Sequence, residues 1–364
     1  MRQSLCRRLG FIGLQGLLQI SSTTIFFTTE AHSLCTGVSK SHLSIGSLSV
    51  APVILGTLRL AVDDDDALTK ATNLLRAAPR GTLIDTAELY GDGKVEALLG
   101  EAANRADRKL GPDDLPVATK FAPGPFRLNS GSVVEACRAS ARRLNVEKID
   151  LYQMHFRDIK QPLSIIGLRN EKDEDYWDGL AECYHAGLIS NVGVCNYGPE
   201  TLRRAHNYLS NRGVPLVSNQ INFNLMRYRS SGETKDACDE LGVCVMGYHP
   251  LGNGALAGKY DLDDLTTLPT LPSKRRRMKW YLKNSRPVVD VVRRIAESRG
   301  KSCAHVATNW VLHKGAVPIV GSRDDVQFAD SLGSAGWSLS KEEVEQLDEA
   351  SDASAEYERG FELV

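Results

Sequence analysis

Beginning near residue 50, short β-branched runs alternate with amphipathic helical windows, and no other feature constrains the fold of this chain as strongly. The runs are Val53-Ile54-Leu55, Thr82-Leu83-Ile84, Pro116-Val117-Ala118, 149–154, 189–194, Pro215-Leu216-Val217, 243–247 and Val317-Pro318-Ile319-Val320. Between them lie segments such as 132–144 and 287–298. In the latter, Val288, Val291, Val292 and Ile295 fall at i, i+3, i+4, i+7 and share a helix face. Eight strand–helix units imply a parallel sheet, and eight is the number that closes on itself, so the predicted fold class is α/β, a (β/α)8 TIM barrel. A doubly wound open sheet would alternate in the same way, but no GxGxxG follows the first run, where a dinucleotide fold would place it. The glycines at 252, 254 and 258 have the wrong spacing and follow the seventh run, so they read as a flexible loop over the barrel mouth. Residues 260–285 read as one long irregular insertion. It contains Pro269, Pro272 and the run Lys274-Arg275-Arg276-Arg277-Met278-Lys279, which is either a solvated charge run or a lid over an anionic cofactor.

With 364 residues and a net charge of −1, the chain can bury a large core but has no global field to attract nucleic acid or anionic lipid. A small molecule is the expected partner. The eight cysteines show no CxxC pair and no clustering with histidine at metal-ligand spacing, so they read as reduced thiols and no metal site is expected. Cys195 reads as a small buried residue at a strand end rather than a reactive thiol. The N-terminus carries Arg2, Arg7 and Arg8, no acidic residue before Glu30, and dense Ser/Thr from 21 to 49. That is the composition of an organelle-import peptide, so residues 1–44 are expected to be a transit peptide to the plastid and 45–364 the barrel; a mitochondrial or secretory route is the alternative. The apolar stretch 9–20 is too short to span a bilayer and no other span is expected. A monomer or weak oligomer is expected.

In a closed parallel barrel every strand's C-terminal end faces one mouth, so residues distant in sequence converge there. Asp85, Lys120 and His155 each end a run, and Tyr90 lies one loop turn beyond Asp85. A tyrosine with a pKa of about 10 is a poor acid unless its phenolate is stabilised. Lys120 would lower that pKa, Asp85 would keep Lys120 charged, and His155 would donate a hydrogen bond to a substrate carbonyl. The four suit general-acid protonation of an oxygen as hydride reaches the adjacent carbon. Each alone has a plain structural reading, as a turn cap, a surface charge, a rim aromatic or a core histidine. Four on consecutive strand ends outweigh it.

The chain resembles the aldo-keto reductases in Asp85-Thr86-Ala87-Glu88-Leu89-Tyr90-Gly91, Ala118-Thr119-Lys120-Phe121, Asp150-Leu151-Tyr152-Gln153-Met154-His155, Val192-Gly193-Val194-Cys195-Asn196-Tyr197 and Ser218-Asn219-Gln220. The resemblance continues through Tyr248-His249-Pro250-Leu251-Gly252, Gly258-Lys259-Tyr260 and Pro318-Ile319-Val320-Gly321-Ser322-Arg323. It covers roughly residues 45 to 350 and is similar to plant and algal plastid members. It implies an NADPH-dependent reductase of aldehydes or ketones, with Tyr90 as acid, Lys120 and Asp85 tuning it, and His155 orienting the carbonyl. Asn196 and Gln220 would hold the nicotinamide carboxamide and Tyr248 would stack on the ring. Pro250, Leu251 and Gly252 would line the cofactor, Gly321, Ser322 and Arg323 would take the 2′-phosphate end of NADP(H), and Gln327, Asp330 and Ser331 fall where cofactor contacts are placed. Ser331 departs from a common asparagine, His249 from a serine and Val320 from a proline.

Two other readings remain open on sequence. One is a nicotinamide-binding regulatory or scaffold protein with little turnover, with the basic run as a partner contact. The other makes Lys120 a Schiff-base nucleophile, which the neighbouring Asp85 disfavours by holding the amine protonated. The carbonyl substrate is not legible, although Phe121, Phe126, Phe156 and Trp280 are candidate pocket walls.

Overall fold

A computed structural model describes residues 41–60, 62–124, 127, 129–156 and 173–354. Residues 1–40 of the expected import segment 1–44, and Phe126, lie outside the described residues. Eight parallel strands pair in chain order and close into a barrel where the last pairs with the first. They are β3 (Ile54–Gly56), β4 (Ile84–Asp85), β5 (Val117–Phe121), β6 (Ile149–Met154), β7 (Ile189–Cys195), β8 (Leu216–Asn222), β9 (Cys244–Tyr248) and β10 (Val317–Gly321). Each of the eight runs read from the sequence supplies one of them. Around the barrel lie α1 (Ala67–Ala77), α2 (Lys94–Ala106), α3 (Ser130–Leu144), α4 (Asp173–His185), α5 (Pro199–Ser210), α6 (Tyr228–Glu240), α7 (Pro272–Arg299), α8 (Cys303–His313) and α9 (Asp325–Leu332), followed by α10 (Lys341–Ser354).

The strands are buried on both sides, which is why they read as continuous apolar runs rather than alternating ones. Residues facing outward meet the helices: Tyr152, Tyr176, Trp177 and Trp310 are all buried in the layer between sheet and helices. Side-chain alternation then sends every second residue into the barrel. On β5, Phe121 packs outward against Tyr176 with ring centroids 5.6 Å apart, while Lys120 points inward. Phe121 is fully buried and is therefore no pocket wall.

A β-hairpin that the strand count omitted precedes the barrel. Strands β1 (Leu43–Ile45) and β2 (Leu48–Val50) pair antiparallel and bury Leu43, Ile45, Leu48 and Val50 among interior residues including Leu151, Val217 and Met246. Ser47 N–H donates to Asn191 Oδ1 at 3.0 Å, and Asn191 lies near the start of β7, so the hairpin stoppers the end of the barrel opposite the strands' C-terminal mouth. At its turn Gly46 has φ +56°, and a Cβ there would stand 2.3 Å from Asn191 Oδ1. The division expected at residue 44 falls inside β1.

Two expectations need correction. Residues 272–285 are not irregular but form the first half of α7, a helix of 28 residues. Pro272 sits in the first turn, where its missing N–H has no partner to lose, and Lys and Arg are good helix formers. Met278, Leu282, Val288, Val292 and Ile295 bury one face. The stretch after β9 is likewise not a flexible loop: Gly252–Ala257 forms a 3-10 turn whose Ala255 and Leu256 are fully buried. Among the described residues no helix is long and apolar enough to cross a membrane.

Candidate active site

At the C-terminal mouth, strand ends place the four acid–base side chains within contact of one another. Lys120 Nζ donates to Asp85 Oδ2 at 2.9 Å and to the Thr86 carbonyl at 2.8 Å, and it stands 3.4 Å from the Tyr90 hydroxyl. The ammonium is completely buried, so its three donor directions are set by these partners rather than by water. The backbone fixes the geometry: Thr86 N–H bonds to Ala118 O and His155 N–H to Phe121 O, carrying the parallel ladder up to the mouth. The His155 ring meets Tyr90 edge-on, with centroids 5.9 Å apart, and stacks on Phe156 at 4.2 Å. Its Nδ1 is buried with no hydrogen-bond partner.

The next three strands supply a second arc. Gln220 Nε2 donates to Asp85 Oδ1 at 2.8 Å, so both oxygens of that carboxylate are engaged, and with the Gln220 backbone carbonyl taken by Asn196 N–H it is the Gln220 side-chain Oε1 that remains to accept. Tyr248 donates from its hydroxyl to Asn196 Oδ1 at 2.9 Å, and Asn196 Nδ2 reaches the His155 carbonyl at 3.4 Å. Asn196 and His249 both adopt positive φ, 61° and 55°, a conformation that Asn tolerates better than most residues and that turns each chain sharply out of its strand. Pro250, Leu251 and Gly252 follow, and Gly252 N–H closes the turn on His249 O at 2.9 Å.

Gly321, Ser322 and Arg323 leave β10 beside β3, where Gly321 pairs with Gly56. The Ser322 hydroxyl is buried without a partner. Asp324 does not oppose an anion freely, because its carboxylate caps α9 by accepting from Gln327 N–H at 2.8 Å. Gln327 Oε1 in turn accepts from Arg323 N–H at 3.0 Å, and Ser331 donates to the Gln327 carbonyl. Asp330 is held from the far side by His305, whose Nε2 lies 2.7 Å from the Asp330 carbonyl. Arg323, Asp324 and Gln327 thus form one hydrogen-bonded turn just after Gly321, with Ser331 a helical turn further along and Asp330 held by His305.

Electrostatics sharpen the roles each group can play. Burial pushes the Tyr90 phenol up, and the pull of Lys120 in the opposite direction does not overcome it, so the net shift is upward rather than the expected lowering. The phenol is held protonated. Burial alone would drive Lys120 toward neutrality, but Asp85, Tyr90 and Cys195 together outweigh it and the ammonium is raised, which removes the condition a Schiff-base nucleophile needs. Burial, aided by the Lys120 charge, pushes His155 down to about 3, so the imidazole is neutral at ordinary pH. Burial also raises the Cys195 thiol, leaving it inert.

Several residues with a stake in this site escaped the sequence reading. Thr57 donates from Oγ1 to the Asp85 carbonyl at 2.9 Å. Glu88 is gripped by Arg127 in a two-pronged pair, 2.6 and 3.0 Å, and also accepts from Ala122 N–H at 2.7 Å. This clamp ties the loop after β5 to the loop bearing Tyr90. The sequence signal was Glu88 itself, an acid two residues before the tyrosine. Arg59 lies along Gly321, 3.5 Å from where a Cβ there would stand, and its charge, with that of Arg277, helps burial to lower His249.

Residues 52–352 match the Aldo/keto reductase family. A chloroplastic pyridoxal reductase from Arabidopsis thaliana is 38% identical over 328 residues, 86% of each chain. A probable aldo-keto reductase 1 from Glycine max is 28% identical over 278 residues, 74% of this chain and 75% of its own. Among solved structures, a glycerol dehydrogenase from Gluconobacter oxydans superposes with a TM-score of 0.66 at 25% identity, covering 85% of this chain and 94% of that one. A barrel whose strand ends converge on a buried lysine–aspartate pair, matched to one family from its first barrel strand to its last helix, leaves no rival assignment: the chain belongs to the aldo/keto reductase family.

Proposed function

We propose that this protein is an NADPH-dependent oxidoreductase that reduces an aldehyde or ketone to an alcohol, with Tyr90 as the general acid. The observation that carries the reading is the Lys120 ammonium, buried between Asp85 and Thr86 O and 3.4 Å from the Tyr90 hydroxyl. As a carbonyl oxygen gains negative charge it takes the Tyr90 proton, and the phenolate left behind is stabilised by the ammonium already in place. Asp85 holds that ammonium charged and, through Gln220, in position. The neutral His155 orients the carbonyl by a hydrogen bond without competing as an acid.

A nicotinamide dinucleotide supplies the hydride when bound, and the mouth suits one. The Gln220 side-chain Oε1 is left to accept from a carboxamide, Asn196 is aligned by Tyr248, and Ser322 offers a buried hydroxyl lacking a partner. Pro250, Leu251 and Gly252 would run along the cofactor, and the exposed Arg323 with Ser322 would meet a 2′-phosphate, which favours NADP(H) over NAD(H). Gln327 and Ser331 would contribute from α9. The carbonyl substrate is an aldehyde on a flat aromatic ring, pyridoxal being the first to try: Phe156 lies stacked on His155, and the Arabidopsis relative bears the name pyridoxal reductase. A plastid address for residues 1–44 fits the same relative, which is chloroplastic.

Tyr90→Phe tests the assignment. It removes only the hydroxyl, so NADPH oxidation by pyridoxal is expected to fall by about 10²-fold or more, while NADPH binding followed by fluorescence stays within about twofold. Wild-type turnover by the variant would overturn Tyr90 as the acid.

A further inference from the structure

Between Asp264 and Asp290 the chain carries seven cationic side chains and no carboxylate, a local excess that its net charge of −1 conceals. The structure sets most of them on the solvent side of one helix. In the first half of α7, Met278 and Leu282 bury against Ala255 of the 3-10 turn that follows β9, which lays this half of the helix along the mouth. Lys274, Arg276, Arg277, Lys279 and Lys283 are exposed. None forms an ion pair with a described residue, whereas Arg286 stands 3.9 Å from both Asp263 and Asp290 and Arg275 donates to the Leu265 carbonyl. Arg277 marks where the field points, since it and Arg59, from the loop after β3, both act on His249 beside Tyr248.

We propose that the exposed cationic face of the first half of α7 is a steering surface that speeds capture of a phosphate-bearing dinucleotide at the barrel mouth. Lys274 to Lys283 span about 14 Å of helix at about 1.5 Å per residue. The Debye length is about 8 Å at physiological salt, so these charges act together on an anion one or two diameters from the mouth. Fields of this kind raise association rates and leave dissociation untouched, because the steering charges need not touch the bound ligand. This inference rests on the dinucleotide-binding mouth proposed above and adds how that ligand arrives.

The experiment is stopped-flow NADPH binding, followed by protein fluorescence quenching in the absence of any carbonyl, across a range of ionic strength. For wild type, the association rate is expected to fall by about tenfold between about 0.02 M and 0.5 M salt. In a variant combining Lys274→Gln, Arg276→Gln, Lys279→Gln and Lys283→Gln, the low-salt rate should drop about threefold to tenfold and the salt dependence flatten, with the dissociation rate unchanged. A salt-independent wild-type rate would overturn the proposal, and that measurement does not depend on the variant's folding. So would a variant whose dissociation speeds up while association holds, since the run would then be a holding contact. Failure of wild type to bind NADPH at any salt would instead defeat the reading of the mouth itself.

Discussion

In the proposed reaction the chemistry turns on a single ammonium, Lys120, whose environment makes it a fixed charge rather than a base or nucleophile. Lys120→Met should therefore lose carbonyl reduction by about 10²-fold or more, and borohydride should trap no substrate on Lys120 of the wild-type protein. His155 gives a pH test. Its pKa in the folded chain, about 3, lies below the unfolded value near 6.5. The stability gained by burying it neutral is thus complete above about pH 6.5 and is lost as pH falls toward 3. Between those limits the imidazole is uncharged, so kcat/KM measured from pH 5 to 8 should show no inflection near 6.5. Asp150 runs the other way. Burial raises it to about 6 against the pull of its bond from Val117 N–H, so the folded chain holds a proton that the unfolded chain releases. Stability is then greatest below about pH 4 and declines until about pH 6. Asp150→Asn keeps an acceptor for Val117 and avoids the buried charge. Denaturant titrations should find it at least as stable as wild type at pH 7, by up to about 2 kcal/mol, with that advantage vanishing at pH 4.

Among the elements, the Tyr90 loop depends on a clamp and the barrel floor on a hairpin. Glu88 and Arg127 join the loops after β4 and β5, and Arg127 also lies 4.3 Å over the Phe121 ring. Arg127→Ala should lower kcat about threefold to tenfold by loosening the Tyr90 loop, while the melting temperature moves little because the pair is partly exposed. At the floor, Gly46 is needed twice over, for its positive φ and for the space Asn191 occupies. Gly46→Ala should destabilise the fold by about 1–3 kcal/mol in urea titration. The sequence disclosed the strands and most helices through periodicity. It did not disclose this hairpin, because two three-residue strands within a Ser/Thr-rich stretch carry too little pattern, nor the helical start of α7, where the basic run and its prolines masked the buried Met278 and Leu282.

For the whole molecule, the hairpin fixes where the barrel begins. A chain starting at residue 41 keeps Leu43, Ile45, Leu48 and Val50 in the barrel interior, whereas one starting at 51 exposes Leu151, Val217 and Met246 to water. Thermal denaturation should find the first as stable as the full chain and the second markedly less stable or insoluble. A fluorescent reporter fused behind residues 1–44 and imaged in plant or algal cells checks the proposed plastid address, with a cytosolic signal counting against it.

The sequence alone determined the barrel, because eight buried parallel strands read as uniform apolar runs, and it singled out the four polar residues proposed as acid–base groups from where those runs end. It could say that Tyr90 and Lys120 would meet, but not which force on the phenol would prevail. Only the tertiary structure decided that, since desolvation depends on how completely neighbours from other strands exclude water. The same holds for Gln220 closing on Asp85 and for the cationic face of α7 lying along the mouth. These are relations between residues tens to hundreds of positions apart, and the distances that govern electrostatics are set only when the barrel closes.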